Sequence, residues 1–211
     1  AVAILNPWRR DNTCPFTHLS GCGVGFKFMQ AFAENNGISM SCLTSLLDLC
    51  AVSIASDLVP ITGENRILAS HGLRCLNTNP GNGLQAIIEV CGLADRELSM
   101  SDIIFKIGPR INASGRMQNG REAVELLVEK DCRTATATAA RINLYNEARK
   151  DLDKQMTEEA IEQVRQQPDI QTRRSIVIYN EEWHKGVIGI VASRLTEQYY
   201  RPAVVLTRSE G

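Results

Sequence analysis

The sequence predicts an α/β protein that is mostly helical and carries a small parallel sheet toward its C-terminal end. Residues 175–179 and 203–206 are short apolar runs with strand character, and residues 187–199 between them have helical spacing. A strand, a helix and a strand in this order form a crossover unit whose two strands lie parallel. Residues 132–167 keep the helical spacing of their apolar residues throughout, so helix dominates the rest of the chain.

Local signals predict the elements of the first half. Residues 46–54 are apolar almost all round, a pattern that fits a buried strand or a buried helix; their length and their small residues favour the helix. Asn36-Gly37 is a typical helix stop. The predicted elements are a buried strand over residues 2–5 and helices over residues 22–36, 46–54, 62–76 and 84–91.

A further helix is predicted to end near Asp131, and the longest helix follows over residues 132–167, where Pro168 ends it. At the usual rise per residue this helix is about 50 Å long, too long for one small core to cover. Its C-terminal half is rich in charged residues. We therefore expect a solvated connector between two domains.

Composition restricts the classes of function. With 211 residues the chain is long for one average domain and short for two, and its formal net charge of −1 gives no global basic surface. If the partner is nucleic acid, binding must depend on a local cluster of arginines. Seven cysteines without a Cys-x-x-Cys pair indicate small core residues in a reduced, intracellular protein. No apolar run is long enough to span a bilayer.

Both ends of the sequence have an unusual character. The chain opens on the apolar run AVAIL and stops directly after the last predicted strand, without the polar fraying segments that most domains carry. We therefore expect an excised fragment of a longer protein.

The stretch GPRINASGR, residues 108–116, has the strongest chemical character. Pro109 and the flanking glycines predict a loop with turns. The guanidinium groups of Arg110 and Arg116 fit phosphate oxygens, and Asn112 can add a donor. A turn between the two arginines would let them converge on one phosphate. The alternative is a surface loop whose arginines are merely solvated.

Three other positions carry candidate chemistry. Asp57 lies at the end of an apolar element, where a carboxylate is costly unless it is solvated, hydrogen-bonded or bound to a cation; the alternative role is a cap on the next turn. Asn146 shares a helix face with Arg149 or with Lys150, which is also typical of a routine polar face. The Trp-His-Lys-Gly turn places His184 and a lysine at a helix N-terminus that favours an anion; the alternative is a lone surface histidine.

Four stretches taken together resemble the RecJ branch of the DHH phosphoesterases. They are SIASDLVPITGENR, GPRINASGR, LYNEARK and WHKGVIGIVASR, in this order and spread over nearly the whole chain. The resemblance implies the C-terminal part of a DHH catalytic domain over residues 1–131, a connector helix over 132–168, and the start of a DHH-associated substrate-binding domain over 169–211. It implies a fragment of a metal-dependent exonuclease that degrades single-stranded DNA from the 5′ end in DNA repair and recombination.

The resemblance also implies roles for individual residues. Asp57 would be a ligand of a catalytic pair of Mn²⁺ or Mg²⁺ ions, with most ligands outside this fragment. The motif residues Arg110, Asn112 and Arg116 would handle the phosphates near the scissile bond. The residues that would line the path of the DNA strand across an interdomain groove are Asn146, Arg149, His184 and Arg194.

Further expectations concern partners and alternatives. The resemblance implies a monomeric cytoplasmic protein that binds single-stranded DNA, with a single-strand-binding protein or a helicase as candidate partners and no membrane. The name-giving Asp-His-His motif is absent, since the only histidines are His18, His71 and His184. Two alternatives therefore stay open: a DHH phosphodiesterase acting on short oligonucleotides or cyclic dinucleotides, and a non-catalytic DHH scaffold that binds DNA.

Overall fold

The computed structural model describes residues 4–170 and 172–209. The helices within these ranges are α1 (Gly21–Asn35), α2 (Ser41–Thr44), α3 (Leu47–Ser56), α4 (Gly63–Thr78), α5 (Asn82–Val90), α6 (Met100–Asp102), α7 (Gly108–Met117), α8 (Gly120–Val128), α9 (Cys132–Arg165) and α10 (Ile188–Tyr199). A π-helical turn (Ile103–Ile107) joins α6 to α7, and the strands are β1 (Ile176–Tyr179) and β2 (Ala203–Leu206). The α/β class is confirmed, with helix as the dominant element.

The helices of the first half form where local signals predict them. The Ser20 hydroxyl accepts a hydrogen bond from the Gly23 N–H at 3.2 Å and so caps the start of α1. The chain leaves α1 through Gly37, whose φ of 65° suits a glycine. The apolar stretch around residue 50 is helix α3, with Cys50 and Ile54 fully buried. The helical interpretation of that stretch is confirmed.

Close contact between helices organises the first structural unit, which contains the described residues up to 111 together with 124–140. A Cβ atom on Gly72 of α4 would lie 2.0 Å from the backbone oxygen of Leu47 in α3, so only glycine permits this approach. A Cβ on Gly83 of α5 would also lie 2.0 Å from a backbone oxygen, that of Leu126. The core between α1, α3 and α4 is built from seven buried residues: Phe26, Ala33, Leu43, Cys50, Ile54, Leu68 and Ala69.

The arginine-rich stretch is helical, so the predicted loop is wrong. It continues from the π-helical turn directly into α7, with Pro109 in the first turn, where a missing N–H is tolerated. Gly108 serves close packing instead of a turn, whereas Gly115 makes only ordinary contact with its neighbour. A Cβ on Gly108 would lie 2.6 Å from Ser56 Oγ, and one on Gly115 would lie 3.7 Å from the Cα of Gly120.

A continuous helix also changes the relation between the two arginines. Residues six apart on an α-helix are separated by about 9 Å along the axis and by about 120° around it. The predicted convergence of Arg110 and Arg116 across a turn is therefore wrong. Arg116 instead shares one side of α7 with Asn112, four residues earlier.

The long helix α9 is confirmed, but its predicted solvation is not. Its start is fixed by Asp131, whose carboxylate accepts the N–H of Thr134 at 2.8 Å and its hydroxyl at 2.7 Å. In the C-terminal half, Met156, Ala160 and Val164 are buried in a core. The charged residues of this half cover the opposite side, which gives the sequence its polar character.

The second structural unit contains residues 112–123 and the described residues from 141 onward. β1 and β2 pair in parallel, with Ile176 opposite Ala203 and Tyr179 opposite Leu206. The predicted crossover unit is therefore confirmed. The buried faces of β1, α10 and α9 share one core, whose members include Met156, Val164, Ile176, Ile178, Trp183, Val191, Leu195 and Val205.

Two smaller expectations fail. Residues 1–3 lie outside the described ranges, and Ile4 and Leu5 are exposed and belong to no strand, so a buried strand is not found there. All seven cysteines are free thiols, as predicted, but Cys50 alone of them is buried. Small size does not by itself draw a cysteine into the core.

None of the described helices is both long enough and apolar enough to cross a membrane.

Candidate phosphate-binding site

Arg116 lies at the C-terminal end of α7, beside the loop that precedes α10. Its side chain is exposed, and Nη1 donates a hydrogen bond to the backbone oxygen of Gly186 at 3.3 Å. A Cβ on Gly186 would lie 2.1 Å from the backbone oxygen of Arg116. The loop and the helix therefore touch through their backbones, and the glycine makes this approach possible.

His184 belongs to the same loop. Its Nδ1 accepts a hydrogen bond from the Gly186 N–H at 3.1 Å, so a neutral imidazole carries its proton on Nε2. The His184 carbonyl accepts the N–H groups of Val187 and Ile188 at 2.9 and 3.2 Å. The N–H groups at the start of α10 are thus already bonded to the loop. An anion at this position would therefore have to be held mainly by side chains, because these N–H groups are already engaged.

Trp183 anchors the loop to the long helix. Its indole Nε1 donates to Glu159 Oε2 at 2.8 Å, and the ring is buried in the core of this unit. The loop that carries His184 and Gly186 is therefore held in position by packing and by a charge-assisted hydrogen bond.

Asn146 and Arg149 form a pair on α9. Asn146 is fully buried, and its Oδ1 accepts a hydrogen bond from Arg149 Nη2 at 3.3 Å. Lys150 bonds Glu147 instead, at 3.0 Å, which favours Arg149 as the neighbour of Asn146. Arg149 Nε is buried and has no hydrogen-bond partner among the described residues. A buried donor without a partner is costly unless a ligand or water satisfies it.

Asp153 and Arg194 form a bidentate ion pair. Arg194 Nε and Nη2 donate to the two oxygens of Asp153 at 2.9 and 2.7 Å. Asp153 is buried, with a side chain 7% exposed, whereas the Arg194 side chain is 52% exposed. The hydrogen bonds with Asp153 raise the pKa of Arg194.

These side chains form a local concentration of positive charge. Burial lowers the pKa of Arg149, and the like charges of Arg116 and Arg194 add to that effect, while Asp153 opposes it. The three guanidinium groups outnumber the two carboxylates that act on Arg149, Asp153 and Glu147. This arrangement suits an anion with several oxygen acceptors, such as a phosphate.

The remaining predicted residues have different surroundings. Asn112 is exposed on the α7 side that carries Arg116. Arg110, in the first unit, is half-buried and donates from Nη1 to the Lys106 backbone oxygen at 2.9 Å. Asp57, also in the first unit, is exposed at the C-terminal end of α3, where it accepts a hydrogen bond from the Ser53 hydroxyl at 3.2 Å.

The position of Asp57 favours a cation. The C-terminal end of a helix carries partial negative charge, so a carboxylate there is disfavoured without a positive partner. No lysine, arginine or histidine of the described chain forms a salt bridge with it. Residues 4–170 and 172–209 nevertheless contain no group of three or more His, Cys, Asp or Glu side chains able to hold a metal ion. These residues by themselves therefore do not fit a two-metal centre, and Asp57 can supply at most one ligand of it.

Sequence reasoning missed Asp153. Ile142, Asn146, Arg149, Asp153 and Met156 follow one another at spacings of four, three, four and three, which is the inner face of a helix. Apolar residues alone at helical spacing lead instead from Ile142 through Tyr145, Ala148 and Leu152, of which Ala148 is exposed. A search for helical spacing that admitted polar residues would have found the buried asparagine and aspartate.

Comparison with known proteins adds to this geometry. No family model matches the chain. It is 39% identical over 204 residues to the single-stranded-DNA-specific exonuclease RecJ of Bacillus subtilis, covering 97% of this chain and 25% of that protein. It is 33% identical over 217 residues to RecJ of Escherichia coli, covering 97% of this chain and 37% of that protein. The chain thus spans about a quarter to two-fifths of the length of these relatives.

Solved structures agree with the sequence relatives. RecJ from Thermus thermophilus in complex with Mg²⁺ matches with a TM-score of 0.79 at 30% identity, over 94% of this chain and 30% of that one. An exonuclease RecJ bound to manganese matches with a TM-score of 0.81 at 30% identity, over 92% of this chain and 48% of that one. Over nearly its whole length, the chain is therefore a relative of one part of the RecJ-type single-stranded-DNA-specific exonucleases.

Proposed function

We propose that this chain is the phosphate-binding part of a RecJ-type exonuclease, and that the complete protein hydrolyses single-stranded DNA from its 5′ end with Mn²⁺ or Mg²⁺. The observation that carries the proposal is the arginine cluster of the second unit, in which the buried Arg149 Nε has no partner among the described residues. A phosphate oxygen is the partner that best fits a guanidinium donor in a positively charged setting. The RecJ relatives support the substrate and the metals.

Each residue of the cluster has a distinct task in this proposal. Arg116 and Arg149 contact phosphate oxygens, where their charge opposes the charge that develops during cleavage. Buried Asn146 orients Arg149 through its amide oxygen, and His184 can donate from Nε2. Arg110 and Asn112 add donors along α7. Metal chemistry belongs to a centre to which Asp57 contributes one carboxylate.

The proposed domain division and cellular role follow the same family. We propose a catalytic-domain part over residues 1–131, the connector helix over 132–168 and a substrate-binding part over 169–211. The protein would act in DNA repair and recombination, as a cytoplasmic monomer that meets its DNA with a single-strand-binding protein or a helicase. Copurification from cells with and without nuclease treatment would identify such partners.

The test of the function uses the complete protein that contains this chain. The substrates are a single-stranded and a double-stranded DNA labelled at the 3′ end, with Mn²⁺, Mg²⁺ or a chelator. We expect metal-dependent release of mononucleotides from the single strand, beginning at the 5′ end. Hydrolysis of cyclic dinucleotides or very short oligonucleotides in preference to long strands would indicate a DHH phosphodiesterase instead. Tight DNA binding without cleavage under every metal condition would indicate a non-catalytic scaffold.

A further inference from the structure

A groove of about 290 Å³ lies between α9 and α10, in the second unit. It is lined by Lys150, Asp153, Lys154, Thr157, Glu158 and Arg194. Its volume is at the small end of ligand pockets, which span roughly 300–1,000 Å³. A phosphate with part of its sugar suits such a space better than a large cofactor does.

Arg194 is held in a fixed orientation at this groove. Arg194 Nε and Nη2 donate to the two oxygens of buried Asp153, and Thr157 Oγ1 donates to Asp153 Oδ1 at 3.4 Å. The Arg194 side chain is half exposed and lines the groove, while its Nε and Nη2 are bonded to Asp153. An arginine fixed in this way loses little conformational entropy when it binds a second anion.

The lining side chains of the groove carry three positive charges, on Lys150, Lys154 and Arg194, and two negative charges, on Asp153 and Glu158. Asp153 is covered and neutralised by Arg194. Lys154 is exposed and forms no salt bridge with any described residue, and Lys150 shares its charge with Glu147 at 3.0 Å. Among the six lining residues, Glu158 is the exposed acidic group, and it opposes an anion.

We propose that this groove is a subsite for a backbone phosphate of single-stranded DNA, with Arg194 and Lys154 as donors and Asp153 as the positioning residue of Arg194. The subsite rests on the proposed function, because it assumes that the strand crosses this unit. It adds two residues, Lys154 and Asp153, to the DNA-binding surface.

The experiment measures binding of the complete protein to a fluorescent oligo-dT at several salt concentrations, with a chelator present to prevent cleavage. Removing one side-chain charge that neutralises a phosphate should reduce the slope of log K against log salt by about 0.7 for a single strand. We expect this reduction for Lys154→Gln and for Arg194→Gln. Arg165→Gln, three turns further along α9, is the matched control and should keep the slope of the wild type.

Asp153→Asn separates positioning from simple electrostatics. Removing a negative charge near DNA should tighten binding if Asp153 acts only by its charge. If it positions Arg194, binding should weaken about three- to tenfold, and the same change should have no such effect in an Arg194→Gln protein. Melting temperatures identify any variant that fails to fold, and the exposed Lys154 and Arg194 remain decisive if Asp153→Asn is unstable.

The outcomes distinguish this subsite from the proposed function. A wild-type protein that degrades single-stranded DNA, with unchanged salt slopes for Lys154→Gln and Arg194→Gln, refutes the subsite alone. Tighter binding by Asp153→Asn refutes the positioning role. A wild-type protein that neither binds nor degrades single-stranded DNA refutes the proposed function and the subsite together.

Discussion

At the scale of single residues, Arg149 and Arg194 show how one residue type acquires two roles. Arg194 uses two of its nitrogens on a buried carboxylate, which raises its pKa and fixes its orientation. Arg149 is partly desolvated, keeps one buried nitrogen without a partner among the described residues, and has a lowered pKa. The first is an oriented donor at the surface, and the second is a desolvated donor whose interaction with an anion is strengthened by its surroundings.

Arg116 tests the role of guanidinium geometry. In the complete enzyme, Arg116→Ala should lower kcat/KM for single-stranded DNA by about ten- to a hundredfold if its phosphate contact tightens in the transition state. Arg116→Lys should recover little, since an ammonium group cannot make a forked contact. Steady-state kinetics with melting temperatures for both variants provide the check. A destabilised variant whose folded fraction cleaves normally would show that Arg116 only holds the Gly186 loop.

Asp57 gives a prediction in which stability and activity change in opposite directions. Asp57→Asn in the complete protein should abolish metal-dependent cleavage, because asparagine keeps the shape and loses the charge that attracts a divalent cation. The melting temperature should stay the same or rise, since a negative charge is removed from a helix C-terminus. Ser53→Ala removes only the hydrogen bond to Asp57 and should keep cleavage. Normal turnover of Asp57→Asn at saturating Mn²⁺ would refute its role as a ligand.

At the scale of elements, α9 combines a structural and a functional face. Its inner side carries alanines, an isoleucine and a methionine, and between them the buried polar residues Asn146 and Asp153. Buried polar groups persist when they are hydrogen-bonded, and these two hold Arg149 and Arg194 respectively. The same helix therefore builds the core of the second unit and orients two of its three clustered arginines.

The loop before α10 gives a prediction at this scale. Gly186→Ala places a methyl group 2.1 Å from the Arg116 backbone oxygen, so the loop must move away from α7. We expect DNA cleavage to fall about tenfold or more, because His184 on the loop is displaced relative to Arg116 on α7. Gly189→Ala, at a position with open space around it, is the control and should keep activity. Equal activity of the two variants would show that the loop position is not important for cleavage.

The capping box before the π-helical turn predicts a pH dependence of stability. The Ser99 hydroxyl and N–H donate to Asp102 at 2.7 and 3.0 Å, and with the Arg96 guanidinium they hold the pKa of Asp102 well below its usual range. Because the pKa of Asp102 is lowered by folding, its carboxylate stabilises the folded protein at pH values above 3.8, the ordinary pKa of an aspartate. This stabilisation is lost as the pH falls below that value. Asp102→Ala should therefore cost on the order of 1–2 kcal/mol at pH 7.

Denaturant unfolding of the wild type and of Asp102→Ala at pH 7, 5, 4 and 3 provides the measurement. The difference in unfolding free energy should be constant between pH 7 and pH 5 and should shrink at the two lower values. A difference that is independent of pH would show that shape and packing, not the carboxylate charge, stabilise this helix start.

At the scale of the whole molecule, most of the proposed phosphate-binding residues and the proposed metal ligand belong to different parts of the chain. Arg116, Arg149, His184 and Arg194 lie in the second unit, and Asp57 lies in the first. Across the described residues no group of acidic, histidine or cysteine side chains completes a metal centre around Asp57. Binding and catalysis can therefore be tested separately.

The 211-residue chain by itself should lack nuclease activity for this reason. Incubation with 5′-phosphorylated single-stranded DNA and Mn²⁺ should release no nucleotides, whereas the complete protein should release them under the same conditions. A circular dichroism spectrum with high helical content is the control for folding of the chain. Metal-dependent release of nucleotides by a clean preparation would contradict the prediction and would mean that this chain assembles its own metal site.

The sequence by itself determined the elements whose signals are local. Ser20 and Asn36-Gly37 bound α1, and Pro168 follows the end of α9 closely, because caps and stops act within one turn of the backbone. The parallel pairing of β1 and β2 also followed from chain order, since a strand–helix–strand crossover has one favoured arrangement. Residue type and family resemblance were enough to propose the arginines and the asparagine as phosphate-binding groups.

Only the tertiary structure decided what surrounds those groups. Gly108 has no room for a side chain because a Cβ there would lie 2.6 Å from Ser56 Oγ. Residues 108–116 are therefore part of a packed helix, although their composition is typical of a turn. Asn146 and Asp153 face inward on α9 because Arg149 and Arg194 satisfy their oxygens. Sequence periodicity treats polar residues as outward-facing. The partner that allows Asp153 to be buried is Arg194, 41 residues away in the chain, which local spacing does not reveal.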